Sequence, residues 1–337
     1  MKIIKKYIPV IIKQMMKDAY YDIRNFNIEI FIFRACFTLS GASGKWRKRK
    51  DHAIMKYLKK KYRYVIDKYR NAEEISQKQD TEKSPVWILG WQGTEQMPDI
   101  IRMCLYSKIN NAGSHPVVVL TKDNIKQYVE LPDYIWEQFE NGQLMIQHLA
   151  DIIRVCLIEK WGGLWLDASV FCSEKIPEWV FQQPVYSLKC KESDEFVSQN
   201  RWTTFVIGGC KGNVLCRFLK DFFFEYCRDG KRFIDYYLFD IAIALAYENI
   251  YSVAVEIDQL PVILGSFYWL NDNICKNASD ALISEFSKQD LIFHKMSWRD
   301  VVSNKDTNDN RNSLYYYLRR NEERKINEKG EHYYTGL

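Results

Sequence analysis

No CxxC pair and no His/Cys cluster with zinc spacing occurs in this 337-residue chain, which excludes a zinc knuckle or finger. The closest of its nine cysteines, Cys210 and Cys216, stand too far apart for one. Their odd number and irregular spacing read as reduced thiols in a cytoplasmic protein. The phosphate-cradling patterns GxxxxGK[ST] and GxGxxG are missing, as is any Ser-His-Asp ordering. There is no low-complexity tract, no evident internal repeat and no long apolar run. The most apolar stretch, IEIFIFRACFTL, is about a dozen residues and holds Arg34, too short and too polar to span a bilayer. Lys13 and Lys17 interrupt the apolar N-terminal residues and no small-residue cleavage site follows, so no secretory signal is expected. A chain that is soluble or lies on a membrane remains.

What is present can build a core: 47% of the residues are hydrophobic and 15% aromatic. Charge is divided unevenly. Residues 1–80 carry 20 Lys and Arg against 8 Asp and Glu, a balance of +12, which leaves 28 against 35, or −7, for the remainder. The basic part reads as helices. In KWRKRKDHAIMKYLKKKYRYVIDKY, the residues Ile54, Met55, Leu58, Tyr62, Val65, Ile66 and Tyr69 recur at helical spacing among lysines and arginines. Such a face suits an anionic membrane surface or a nucleic-acid backbone, or packs on the main domain as a solvated helix. Ser40 to Gly44 reads as a loop, and the polar stretch Glu73 to Ser84 as a linker. The expected organisation is a basic helical region at 1–80, a catalytic domain at 81–303 and a polar, charged tail at 304–337.

From Pro85 the pattern changes. VWILGW reads as a strand, IIRMCLYSKINN as a helix, PVVVLT as a second buried strand and DYIWEQFENG as a short helix. This alternation predicts an α/β fold on a central, mainly parallel sheet. Ligands in such sheets collect at the carboxyl ends of strands, which brings forward Trp91 and Gln92 after the first strand. Later, VYSLK, TTFVIGGC, SVAVEID and DLIFHKMSW read as strands, with aromatic-rich helices between them.

The chemistry concentrates between His148 and Glu174, HLADIIRVCLIEKWGGLWLDASVFCSE. Leu149, Ile152, Ile153, Cys156 and Leu157 form one helical stripe, while Asp151 and Arg154 are neighbours on the other side. Gly162 and Gly163 end the helix. Leu164 to Phe171 reads as a buried strand interrupted by Asp167, a carboxylate that needs a cation or a ligand hydroxyl as partner. On a strand, Asp167 and Ser169 would share a face.

The segments WQG…P, DNIKQYVELPDYI, ADIIR and GGLWLDAS together resemble the bacterial capsular polysaccharide synthesis proteins, strongly over residues 85–180 and more weakly to about 300. That family is similar in turn to the DXD-containing sugar transferases, among them yeast-type mannosyltransferases and clostridial toxin glucosyltransferases. The resemblance implies a GT-A-type nucleotide-sugar-binding fold with Asp151, Arg154 and Asp167 as catalytic residues. It implies a nucleotide-diphosphate sugar as donor, UDP-sugar favoured, bound also by Trp91, Gln92, Lys295, Ser297 and Trp298. HKMSW resembles the C-terminal His…Ser-Trp signature, which adds His294 to Asp167 and Ser169 as ligands of Mn or Mg. Where relatives carry Asp-x-Asp, this chain has Ser169 in the last position. The acceptor implied is a growing, lipid-linked saccharide, and the protein is expected in the cytoplasm, peripheral on the inner face of the cell membrane. Apart from the resemblance, Asp240 on the aromatic-rich helix is a candidate to face the acceptor.

The chemistry fits that reading. A departing diphosphate needs positive charge, which a divalent cation or arginine's planar fork supplies, and a carboxylate near the sugar ring supports an oxocarbenium-like centre. The rival reading is a non-enzymatic protein binding a membrane surface or nucleic acid through its basic region. It leaves GGLWLDAS unexplained, so nucleic acid is the disfavoured partner.

Overall fold

The computed structural model describes residues 19–74, 84–297 and 311–329. At its centre five strands lie in the order β2-β1-β3-β7-β5. They are β1 (Val86–Leu89), β2 (Val117–Leu120), β3 (Gly163–Leu166), β5 (Val185–Ser187) and β7 (Val206–Gly209), while β6 (Lys189–Cys190) and β8 (Val262–Ile263) form a separate parallel pair. Side chains alternate across this sheet with the two-residue period of a strand. Trp87, Val118, Trp165, Val185 and Ile207 enter one hydrophobic core. Val86, Val117, Leu164, Tyr186 and Val206 enter another on the opposite face. Apolar residues at every position therefore mark burial on both sides.

The sheet is mixed rather than mainly parallel. β1 pairs parallel with β2 and β3, but β7 runs antiparallel to both β3 and β5. Periodicity identifies a strand and says nothing of its direction, which is why TTFVIGGC could be placed but not oriented.

One face is covered by α1 (Ile28–Leu39), α2 (Gly44–Lys61), α3 (Arg63–Tyr69), α5 (Ile146–Trp161), α6 (Val214–Arg228), α7 (Leu238–Asn249) and α8 (Tyr251–Asp258), where α4 (Asp99–Asn111) and α9 (Leu314–Lys329) cover the other. The basic helices share the first core. Ile54, Leu58, Tyr62, Val65, Ile66 and Tyr69 are buried as the helical spacing predicts, whereas Met55 is only half-buried. Tyr62 meets Phe222 edge-on at 5.2 Å and Tyr69 meets Phe218 at 6.0 Å. Their hydroxyls donate to Asp229 and Asp221 at 2.6 and 2.7 Å. SVAVEID, expected as a strand, is helix α8: Val253 and Ile257, four apart, are its buried residues, the spacing of one helical face.

The expected strand Leu164–Phe171 is two strands. Gly162 (φ 72°) caps α5 by donating its N–H to Ile158, and Gly163 (φ 99°) opens β3 where a Cβ would lie 2.2 Å from the Pro85 carbonyl oxygen. After Leu166 the chain leaves the sheet through a turn at Asp167–Ser169. It resumes as β4 (Val170–Cys172), which pairs antiparallel with β9 (Phe293–Lys295). Asp167 and Ser169 thus sit in a turn and share no strand face.

Among the described residues no single helix is long and apolar enough to cross a membrane. α7 and α8 pass that test only as a pair, bent by 107°.

Candidate active site

The turn at the end of β3 brings Asp167 over the middle of α5. Arg154 is nearly buried there, and its guanidinium lies 3.0 Å from Asp151 and 3.7 Å from Asp167. It donates as well to the Thr204 carbonyl and is held between the rings of Trp165 and Phe239, each 5.0 Å away. A planar cation between two aromatic faces has its direction fixed.

Asp167 is bound from several elements. Trp165 Nε1 donates to one carboxylate oxygen at 3.0 Å, and Lys295 Nζ donates to the other at 2.7 Å. The buried Lys108 of α4 donates to the carbonyls of Asp167 and Ala168, at 2.9 Å each. Ser107 and Asn111 of the same helix hold Cys172, at 3.0 Å through its N–H and 2.9 Å through its carbonyl. One helix therefore clamps the whole turn and β4.

Above these groups opens a cavity of about 270 Å³. Asp151, Arg154, Trp165, Asp167, Thr204 and Asp240 line it, with Tyr236, Tyr237 and Phe239 along another side. Asp240, at the start of α7, accepts from Trp202 Nε1 at 3.2 Å.

The carboxyls differ electrostatically. Burial pushes the Asp151 carboxyl up to about 7; Arg154 pulls it down, while Asp167 and Asp240 add to the rise. Burial also pushes Asp240 up to about 6, against the Trp202 hydrogen bond and Arg154. At Asp167 burial opposes the charge too, but Lys295 and Arg154, with hydrogen bonds from Lys295 and Trp165, outweigh it and hold the carboxyl well below its usual range. One ionised carboxylate and two protonatable ones thus face a single space.

A family model described as capsular polysaccharide synthesis protein matches residues 34–318. The chain belongs to that family. Among solved structures, the PaToxG glycosyltransferase is similar at 12% identity and a TM-score of 0.38, over 64% of this chain and 82% of that one. No curated protein matches the chain.

This capsular polysaccharide synthesis protein gathers Asp151, Arg154, Asp167, Lys295 and Asp240 in one place, and leaves other expected residues outside. Trp91 packs edge-on against Phe139 at 5.3 Å, Gln92 is exposed, and neither lines the cavity. Ser297 donates its N–H to Asn271 at 2.8 Å, and Trp298 lies outside the described residues.

The expected metal set of Asp167, Ser169 and His294 is not assembled. Neighbouring residues of a strand point oppositely. On β9, Lys295 points to Asp167, so His294 points away: it is fully buried, 3.3 Å from Ser173 Oγ, with its ring 5.2 Å from Phe286. Burial lowers its pKa to about 4. Ser169 does not line the cavity; its carbonyl accepts from Met296 at 2.8 Å. Among the described residues no three His, Cys, Asp or Glu side chains group to hold a metal ion. Both Asp167 carboxylate oxygens are already engaged, one by Lys295 and the other by Trp165 and Arg154, so the described donor set does not fit a protein-held Mn or Mg.

Lys108, Thr204 and the pair Tyr236 and Tyr237 were missed from the sequence. Lys108 had a visible signal, a lone cation four residues after Cys104 on the apolar side of IIRMCLYSKINN. Burial lowers its pKa to about 8. Tyr236 and Tyr237 had none, because FIDYYLFDIAIALAYEN reads as one helix and the helix begins only at Leu238.

Proposed function

We propose that this protein is a glycosyltransferase that moves a sugar from a nucleotide-diphosphate donor, UDP-sugar favoured, to a growing, lipid-linked capsular or exopolysaccharide unit. The observation that carries the reading is the single cavity in which ionised Asp167, backed by Lys295, and the cation Arg154 face the protonatable Asp151 and Asp240. Arg154 and Lys295 supply the positive charge that a departing diphosphate requires. Asp167 takes the donor's hydroxyls and supports positive charge developing on the sugar ring. Asp240, with a pKa close to the working pH, is placed to accept the proton of an attacking acceptor hydroxyl. A divalent cation, where one takes part, is held chiefly by the donor's own phosphates.

The place of action we propose is the cytoplasmic face of the membrane. A cleft of about 690 Å³ between α2, α3 and α7 supports this: Lys56, Lys59, Lys60, Arg63 and Arg70 rim it, and Met55, Ile66 and Leu245 form its apolar part. Anionic headgroups suit such a rim.

The deciding experiment is a panel of nucleotide sugars offered to the purified chain, with nucleotide release measured. One donor is expected to be hydrolysed or transferred, and Asp167→Asn to lower that turnover by about 100-fold or more, roughly 2.7 kcal/mol. Turnover of no donor, or an Asp167→Asn variant within about tenfold of the unaltered chain, would count decisively against the reading.

A further inference from the structure

The segment between α6 and α7 is held from several sides. Phe233 stacks on His148 at 4.2 Å and on Phe223 at 5.9 Å. Ile234 donates its N–H to the Tyr226 hydroxyl at 2.8 Å, and its carbonyl accepts from Arg34. Asp235 pairs with Lys50 at 2.6 Å and accepts the Tyr237 N–H at 3.0 Å. Yet the next two rings are turned outward: Tyr236 is 57% exposed and Tyr237 50%. They stand perpendicular to each other, 5.2 Å apart, and both line the cavity over Asp151 and Asp240. Scattered exposed aromatics need no explanation, but two adjacent rings on a fixed backbone, at the mouth of a polar cavity, form a built surface.

The surroundings narrow the occupant. An acyl chain would take water from the carboxyls and the guanidinium that line the cavity and offer them no hydrogen bond in return, at a cost. A cationic ligand would meet Arg154. A pyranose ring satisfies both parts, laying a C–H face on an aromatic ring and turning its hydroxyls to carboxylates. We propose that Tyr236 and Tyr237 form the acceptor subsite and stack a pyranose of the acceptor saccharide so that its hydroxyl reaches Asp240. The inference rests on the glycosyltransferase reading and adds to it where the acceptor sits and what it is.

The test uses the full chain and simple methyl glycosides (glucoside, galactoside, N-acetylglucosaminide), followed by saturation-transfer NMR and titration. At least one is expected to bind through its ring C–H protons. Replacing both tyrosines, Tyr236→Ala with Tyr237→Ala, is expected to weaken it about tenfold, and both Tyr→Phe changes to retain it. Should the alanine variant not fold, fluorotyrosine NMR of the otherwise unaltered chain decides: shifts at these two residues on titration support the subsite. Their absence overturns it, as does unweakened binding by a folded alanine variant, or binding of hexanol in place of every glycoside. UDP thermal shift in the same samples keeps the two readings apart. Glycoside binding that needs the tyrosines, without a UDP response, supports the subsite and sinks the donor reading; a UDP response without glycoside binding overturns the subsite alone.

Discussion

Asp151 and Asp167 both approach Arg154, at 3.0 and 3.7 Å, but Lys295 reaches Asp167 alone. Their effects on stability run oppositely with pH. Between the ordinary value of 3.8 and about 7, folded Asp151 holds a proton that the unfolded chain has released, so its contribution falls as pH rises through that window. Asp167 contributes above the ordinary carboxylate range, and its contribution is lost only as pH falls through its depressed folded value. Asp151→Asn is therefore expected to flatten the decline of the melting temperature between about pH 4 and 7, read by circular dichroism. An unchanged slope would mean that Asp151 is already ionised across that range. A second expectation concerns the diphosphate: calorimetric titration of UDP in EDTA should show binding by the unaltered chain, and Lys295→Ala should weaken it by about tenfold, with recovery when Mg is supplied. No binding without metal in the unaltered chain would show that Lys295 does not fill this part. Asp151, Arg154 and Asp167 were legible because a charge inside an apolar helix or strand demands a partner. Ser169 and His294 were not, because one lies in a turn and the other on the wrong face of its strand, and neither parity can be read from spacing.

Helix α4 shows what an element does for the site without lining it. Its Lys108 ammonium bridges the carbonyls of Asp167 and Ala168 from a fully buried position, and Ser107 and Asn111 fix β4 beside them. Lys108→Met keeps most of the packing volume and leaves both carbonyls without that donor, which is expected to cost about 1–3 kcal/mol. A lower urea midpoint, together with reduced nucleotide-sugar turnover, would show that the clamp sets the turn; an unchanged midpoint would show that it does not. At this scale α4, β1 and β2 were plain in the sequence, since each has one unbroken period. The break of Leu164–Phe171 into β3 and β4 was hidden, because both halves are apolar and the turn residues between them are short enough to pass as strand. SVAVEID misled for a related reason: a run of branched residues suits strand and buried helix alike, and only the burial of Val253 with Ile257 separates them.

Over the whole molecule, the division of charge between residues 1–80 and the remainder was legible, and the structure gives helices α2 and α3 of the basic part an apolar inner side packed on α6. Its outer side is expected to bind anionic vesicles. Co-sedimentation of the full chain with phosphatidylglycerol vesicles should weaken with salt and with Lys59→Glu plus Lys60→Glu, each basic residue contributing roughly 1 kcal/mol near such a surface. Sedimentation indifferent to both changes would remove the membrane from this reading. Tertiary convergence was not legible, because the groups meeting at Asp167 come from positions 108, 154, 165 and 295. Those four lie on opposite sides of the sheet: Arg154 of helix α5 and the Trp165 ring on the first core, Lys108 and Lys295 on the second. The carboxylate thus acts as a keystone between two halves of the molecule. On heating, turnover should vanish with whichever half loosens first, so inactivation reports the weaker half while the remaining secondary structure is still intact.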